Sequence, residues 1–499
     1  MSKTTLTRCL CLAVALTTSG CASFLVTDAQ KLSPAQLEPV GADTISRGGY
    51  RFGQFPISPD APDLFAMVAI SGGGKRSASY GYGALKGMRE VMLQTRAGPR
   101  PLLDQIDVIS GVSGGSFTAS YYGMYHDKAF GQFETDFLYN DTNSNVYGIF
   151  LLPWNWAWFV SPGIGTNDFM ERVYDRHMFH GATFADLAAQ GRPQIVIGAT
   201  DISYGTPFVF TQDMFDLICS DMSVFPVARA VAASAGFPGL FSPITLTNNA
   251  KDCGGRTPGW LRRITPAERH NPLSRVGAEA IRAERYLDAD RTRYVHLSDG
   301  GVADNLAMRT QGSMMQVMSA ADLRARGLTH VRRVLLLSID GQGSQDTSIA
   351  QRREVGGLLA LFGLVSGGLI DRYNFETLYT VNHQIEILER NLREARCAEA
   401  PVIDGARCDD VQTALLHIAL ADRPDSPETA RLQAIPTSLT LEREDVDLLV
   451  TAGRDAVTGS APLRAFLDNY PPAPLPAPGI AAGGGGRESH ASLAGPSMP

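Results

Sequence analysis

The chain reads as an α/β protein. Three observations predict that fold class: continuous apolar runs of strand length, glycine-rich turns directly after two of them, and helix-like segments after those turns. The first run, Leu64-Phe65-Ala66-Met67-Val68-Ala69-Ile70, is apolar without alternation, as a strand buried on both faces of a parallel sheet must be. A glycine-rich turn from Ser71 to Gly74 and a helical stretch follow it. The same order returns at Ile106 to Ser110, then Gly111 to Gly115, then Ser116 to Tyr125. Ile195 to Thr200 and Val331 to Ile339 supply two further strands, and Tyr294 to Leu297 a shorter one.

These elements set the expected organisation. Residues 1–20 read as a signal segment and 21–61, polar with scattered Gly and Pro, as a tether and lead-in. An α/β domain is expected over 62–345, broken by inserts at about 127–192 and 251–293. A helical C-terminal region is expected over 346–470, with helical periodicity from Ser348 to Leu392 and again from Asp409 to Leu420. The Pro-, Gly- and Ala-rich end, 471–499, has the composition of a disordered tail. No internal repeat is visible.

With 499 residues, 44% apolar content and a formal net charge of −7, the chain can bury a large core and lacks the broad basic surface that nucleic-acid binding needs. Nucleic acid is therefore excluded as an expected partner. At the N-terminus, Lys3 and Arg8 precede a short apolar run, Cys9 to Thr17, too brief to span a bilayer. The run ends in Thr18-Ser19-Gly20-Cys21, similar to the lipobox at which bacterial lipoproteins are cleaved and lipidated on the cysteine. Thr18 departs from the usual Leu, and ordinary secretory cleavage near Ala22 is the alternative. Lipidation at Cys21 places the protein outside the cytoplasm, anchored to the cell envelope, and Ala22 favours the outer membrane. Beyond the signal, Cys219, Cys253, Cys397 and Cys408 form an even set, suited to an oxidising compartment. Cys397 with Cys408 is the first expected disulfide and Cys219 with Cys253 the second, against four free buried thiols. No Cys-x-x-Cys or paired-His motif suggests a metal site.

Three motifs carry chemistry. Gly111-Val112-Ser113-Gly114-Gly115 fits G-x-S-x-G between a buried strand and a helix. A tight turn there pushes the serine hydroxyl clear of the backbone, and flanking glycines avoid collision with neighbouring elements. Upstream, Ser71-Gly72-Gly73-Gly74-Lys75-Arg76 exposes consecutive amides able to converge on one oxygen, which makes Gly72, Gly73 and Gly74 candidate oxyanion donors. Arg76 is placed to steady that loop or the anion itself. A phosphate-cradling loop is the rival reading, but Gly-Lys-Ser, Gly-Lys-Thr and G-x-G-x-x-G are all missing. Third, Ser298-Asp299-Gly300-Gly301 follows the short strand; such a sequence alone is usually a plain turn.

In this order, G-G-G-x-R, G-x-S-x-G and D-G-G resemble the marks of patatin-like phospholipases. Ala233-Ser234-Ala235-Gly236-Phe237-Pro238-Gly239-Leu240-Phe241-Ser242-Pro243 looks like the family's fourth block. The resemblance covers roughly residues 62 to 345. It implies a three-layer α/β/α sandwich with a mostly parallel central sheet, a Ser113–Asp299 dyad without histidine, lipid acyl ester substrates and no cofactor. Ala307 stands where relatives often carry Pro. A carboxylate can take a serine proton directly if it lies within hydrogen-bond reach. An exposed aspartate is too weak a base, so Asp299 is expected in a closed apolar pocket.

A rival Ser-Asp-His triad would draw on His330, His383, His417 or His490, none in a convincing loop, while His296 adjoins the Asp299 turn. Trp154, Trp156 and Trp158 alternate as a strand face would, and suit either a core or a membrane-facing lid. The insert from Lys251 to Arg293, with ten Lys or Arg against six Asp or Glu, is either a solvated loop or a surface for anionic headgroups. Leu358 to Leu369 is short for a membrane span and reads as a buried helix. A phospholipase A or lysophospholipase on a membrane is the leading expectation. An acyltransferase or general esterase on the same dyad, and a catalytically silent lipid- or partner-binding lipoprotein, are the alternatives. No residue pattern sets an oligomeric state.

Overall fold

The computed structural model describes residues 27–37, 44–51, 56–96, 98–141, 165–343, 350–351, 353 and 358–469. Its main sheet has eight strands: β1 (Leu64–Ile70), β2 (Val108–Val112), β3 (Gln194–Asp201), β4 (Thr206–Val209), β5 (Ile244–Thr247), β6 (Tyr294–Ser298), β7 (Arg333–Asp340) and β8 (Gln412–Ala419). Their order is β8-β7-β1-β2-β3-β6-β5, with β4 also paired to β3. From β8 to β3 every pairing is parallel, whereas β4, β5 and β6 enter antiparallel. The sheet is thus mixed, parallel across the half that carries β1 and β2.

The helices used below are α1 (Gly74–Glu90), α2 (Gly114–Tyr125), α3 (Val227–Ser234), α4 (Arg275–Leu287), α5 (Gly301–Asp304), α6 (Arg309–Val317), α7 (Leu358–Glu399) and α8 (Arg443–Thr458). The absence of alternation in β1 now has its cause. Leu64, Ala66, Val68 and Ile70 face one core with Tyr80 and Leu85 of α1, Phe117 of α2 and Leu449 of α8. Phe65, Met67 and Ala69 face the other, with Met314 and Met315 of α6 and Val381, Ile385 and Leu388 of α7. Helices on both faces of one sheet make the α/β/α sandwich, and burying both faces demands apolar side chains at every position.

Three sequence expectations change. Gln412–Ala419 is not helical; it is strand β8, parallel to β7 in the register Gln412 with Arg333 through Ala419 with Asp340. Sheet pairing overrides the weak helical preference of its Ala and Leu residues. The C-terminal region therefore completes the main sheet, and α8 packs along α1 so closely that a Cβ on Gly83 would lie 2.0 Å from Val450 O. The lead-in is likewise more than a tether. Gln30–Lys31 pairs with Ser220–Asp221, Tyr50 is buried with its hydroxyl accepting from Ile195 N at 2.7 Å, and Arg51 donates to Asp213 and Asp216. Finally, the insert from Lys251 to Arg293 is mainly helical, with α4 packing its Ala280, Ala283 and Tyr286 into the core.

Disulfides join Cys219 to Cys253 and Cys397 to Cys408. The second ties the end of α7 to the segment leading into β8. The signal segment with Cys21, the Trp154–Trp156–Trp158 cluster, His490 and the tail from 471 lie outside the described residues. Leu358 to Leu369 opens α7. No described helix is long and apolar enough to cross a membrane.

Candidate active site

Ser113 sits at the junction of β2 and α2, with φ 48° and ψ −122°. Such a backbone costs a non-glycine residue on the order of 1–3 kcal/mol and persists only when the surroundings enforce it. Here they do. Ser113 N donates to Ser234 Oγ at 2.9 Å, while Ser234 Oγ donates to Gly198 O at 2.6 Å. Ser116 Oγ donates to Ser113 O at 2.6 Å. The elbow glycines permit this turn because a Cβ on Gly114 would lie 2.1 Å from Gly74 O, and one on Gly115 2.3 Å from Ile70 O.

The Asp299 loop is brought to the same place by β6, which runs antiparallel beside β3. Asp299 N donates to Gly236 O and Gly300 N to Ser234 O, each at 3.0 Å, and Thr200 Oγ1 donates to Asp299 O at 2.7 Å. The carboxylate is thereby aimed at the elbow: Ser113 Oγ donates to Asp299 Oδ2 at 2.8 Å, and Gly301 N donates to Oδ1 at 2.8 Å. Ser113 is 9% and Asp299 6% exposed. Burial pushes the Asp299 carboxyl up to about 6, against the opposing hydrogen bonds from Gly301 and Ser113. Withdrawing the carboxylate from water makes it a stronger base than an ordinary aspartate.

The triple-glycine turn lies against this pair, since a Cβ on Gly72 would be 3.3 Å from Ser113 Cβ. Two of its expected roles need correction. Gly72 N already donates to Asn305 O at 2.9 Å, so that amide is not available to an anion. The Arg76 guanidinium gives Nε to Gly341 O at 3.0 Å and Nη1 to Ile435 O at 2.8 Å; it braces the loop after β7 and the C-terminal segment. The amides of Gly73, Gly74 and Gly114 meet no protein acceptor among the described residues. Those of Gly74 and Gly114 open α1 and α2, where first-turn N–H groups lack helical partners and carry the positive end of the helix dipole.

No histidine among the described residues bonds to either member of the pair. His296 Nδ1 meets Thr245 Oγ1 at 3.0 Å, His417 Nδ1 meets Ser338 Oγ at 3.0 Å, and His383 is exposed beside Glu386. His330 is half-buried in the turn before β7, its pKa lowered by burial. Among the described residues no group of three or more His, Cys, Asp or Glu side chains is placed to hold a metal ion.

Several supporting residues carried no assigned role in the sequence. Ser234 and Gly236, within the fourth block, fasten both the elbow and the Asp299 loop. Asn305 holds the glycine turn through its carbonyl and gives Nδ2 to Gln342 Oε1 at 3.1 Å, which also accepts from Asn374 Nδ2 at 2.9 Å. Ala307 has φ 55°, a value proline's ring forbids, so this loop takes a course in which Pro has no place. Lys75 is buried, with its amine on Asn140 O and over the Phe137 ring; burial pulls its pKa down to about 8, with Asp141 opposing.

A family model described as patatin-like phospholipase matches residues 68–310. No curated protein matches the chain. Among solved structures, the chain is similar to human GIVD cytosolic phospholipase A2, at 11% identity and a TM-score of 0.39, covering 82% of this chain and 63% of that one. It is also similar to the same human enzyme in complex with methyl gamma-linolenyl fluorophosphonate, at 13% identity and a TM-score of 0.37, covering 82% and 60%.

Proposed function

We propose that this chain, of which residues 68–310 match a patatin-like phospholipase family model, is a lipid acyl hydrolase that cleaves acyl esters of membrane glycerophospholipids or lysophospholipids through a Ser113–Asp299 dyad. The observation that carries the reading is the 2.8 Å bond from Ser113 Oγ to a buried Asp299 carboxylate. Ser113 Oγ attacks the ester carbonyl carbon as its proton passes to Asp299 Oδ2. The carbonyl oxygen becomes an anion, stabilised by the unpartnered amides of Gly73, Gly74 and Gly114. Collapse breaks the ester C–O bond, and the leaving alkoxide takes the proton from Asp299. Water then gives its proton to Asp299 and attacks the acyl-Ser113 ester; the fatty acid departs, and the proton returns to Ser113. One ester and one water become one acid and one alcohol, without a cofactor.

We further propose export and anchorage to the cell envelope through lipid on Cys21. The Cys219–Cys253 and Cys397–Cys408 disulfides support a compartment outside the cytoplasm. The test of function is a panel of glycerophospholipids, lysolipids and neutral glycerides offered to the protein and to Ser113→Ala. Fatty acid released from the phospholipids by the first and not the second supports the reading. Equal release by both, or hydrolysis confined to glycerides, overturns it.

A further inference from the structure

We propose that the cavity between the starts of α4 and α6 is an anion site built for a phosphate group. It has a volume of about 150 Å³ and is lined by Arg275, Arg282 and Arg309 together with Glu279, Thr310 and Ser313. None of these residues contributes to the Ser113–Asp299 site.

Two of the three guanidiniums form no ion pair among the described residues. Arg282 Nη1 pairs with Glu279 Oε2 at 2.8 Å. Arg275 instead gives its Nε to the neutral Ser313 Oγ at 2.8 Å, and Arg309 gives its Nε to the neutral Thr377 Oγ1 at 2.9 Å while its guanidinium lies 4.9 Å over the Tyr373 ring. The Nη atoms of Arg275 and Arg309 meet no carboxylate among the described residues. The other acid in range, Asp304, accepts the backbone amide of Arg309 at 2.8 Å and attracts the Arg309 and Arg275 charges from a distance, without an ion-pair contact to either. Like charges held together in a half-buried cavity repel one another, and the effect is visible at Arg275. Its hold on its proton is weakened by burial first, with Glu279 opposing, Arg309 and Arg282 adding to the loss, and Asp304 opposing least.

A bound tetrahedral oxyanion relieves that repulsion. Planar guanidinium forks match phosphate oxygens in charge and geometry better than any other side chain. Thr310 places a hydroxyl on the same wall, while the Ser313 hydroxyl donates to Arg309 O at 2.9 Å and serves to hold Arg275 in place. Arg275 and Arg309 are also the first residues of α4 and α6, which fixes the backbone from which each guanidinium reaches the cavity. The phosphate can belong to a soluble phosphate or to a phospholipid headgroup, and the chemistry of recognition is the same.

The test titrates the full chain with inorganic phosphate at constant ionic strength, sodium chloride replacing it in the control. Flotation with phosphatidylcholine vesicles, with and without phosphatidic acid, is run in parallel. Arg275→Gln and Arg309→Gln are each expected to weaken binding about tenfold. Glu279→Gln, which frees Arg282, is expected to tighten it severalfold, and Ser113→Ala to leave it unchanged, separating this site from the proposed hydrolysis. A response to inorganic phosphate alone assigns a soluble ligand, and one to phosphatidic acid vesicles a headgroup. General damage to the fold cannot give opposite signs for the arginine and glutamate variants. The site is refuted if neither probe responds to the arginine changes, or if Glu279→Gln weakens binding as they do.

Discussion

Replacing Asp299 by asparagine separates two quantities that most core substitutions move together. The change is isosteric and keeps an oxygen for Gly301 N, but an amide cannot take the Ser113 proton. Loss of a positioned general base typically costs about a hundredfold to ten-thousandfold in rate, and kcat/KM is expected to fall within that range or further. Stability should move the other way. The carboxyl titrates near 6 when folded, against an ordinary value of 3.8. Below the ordinary value it is protonated in both states and contributes no difference. Between the two values the unfolded chain ionises first, so stability falls as pH rises. Above about 6 the folded protein holds a buried charge at a cost on the order of 3 kcal/mol. Asp299→Asn removes that cost, and the expected gain at neutral pH is about 1–3 kcal/mol, shrinking toward zero near pH ~4. Urea denaturation across that pH range, beside hydrolysis of a short-chain phospholipid, reads both quantities. A variant less stable than the parent at neutral pH, or one that keeps more than about a tenth of its activity, refutes the assignment of Asp299 as a strained base.

Wild-type kcat/KM should rise as pH passes through about 6, because only the ionised Asp299 accepts the serine proton; a profile flat across that region argues for a different base. Ser113→Gly should be inactive yet more stable by about 1 kcal/mol in thermal or urea denaturation, since glycine accepts φ 48° without strain. Gly115→Ala drives a Cβ to 2.3 Å from Ile70 O, so it should lose more than about 3 kcal/mol or fail to fold; a soluble, active variant contradicts the elbow geometry. Cys397→Ser with Cys408→Ser opens a short loop at the end of α7 and should cost about 2–3 kcal/mol while leaving kcat/KM unchanged. An equal fall in kcat/KM would place that segment in the active site.

Much of the sheet was legible because its strands advertise their burial. β1 is covered on both faces, which forces an unbroken apolar run; β2 is buried as fully but carries Ser110 and Gly111 within it, and each strand leads into glycines that only a close approach of backbones requires. Asp299 was legible only in company, since Asp-Gly-Gly alone marks any turn. What the sequence hid depends on distant partners. Gln412–Ala419 has no local strand signature and becomes β8 by pairing with β7. Tyr50 and Arg51 find their partners near Ile195 and Asp213, far along the chain. Gly72 and Arg76 sit in a recognisable motif, yet their bonding is set by Asn305, Gly341 and Ile435, which no local spacing reveals. The insert from Lys251 to Arg293 looked solvated because its charges outnumber its apolar residues; α4 nevertheless buries one face and presents Arg275 and Arg282 to a cavity.

The most direct measurement is covalent trapping with a lipid-like fluorophosphonate, followed by peptide mass spectrometry, on the wild type, Asp299→Asn and Ser113→Ala. The expected result is a single adduct on Ser113, formed much more slowly in Asp299→Asn and not at all in Ser113→Ala. An adduct on another residue, or Ser113 labelled equally fast without the Asp299 carboxylate, contradicts a nucleophile activated by its buried neighbour.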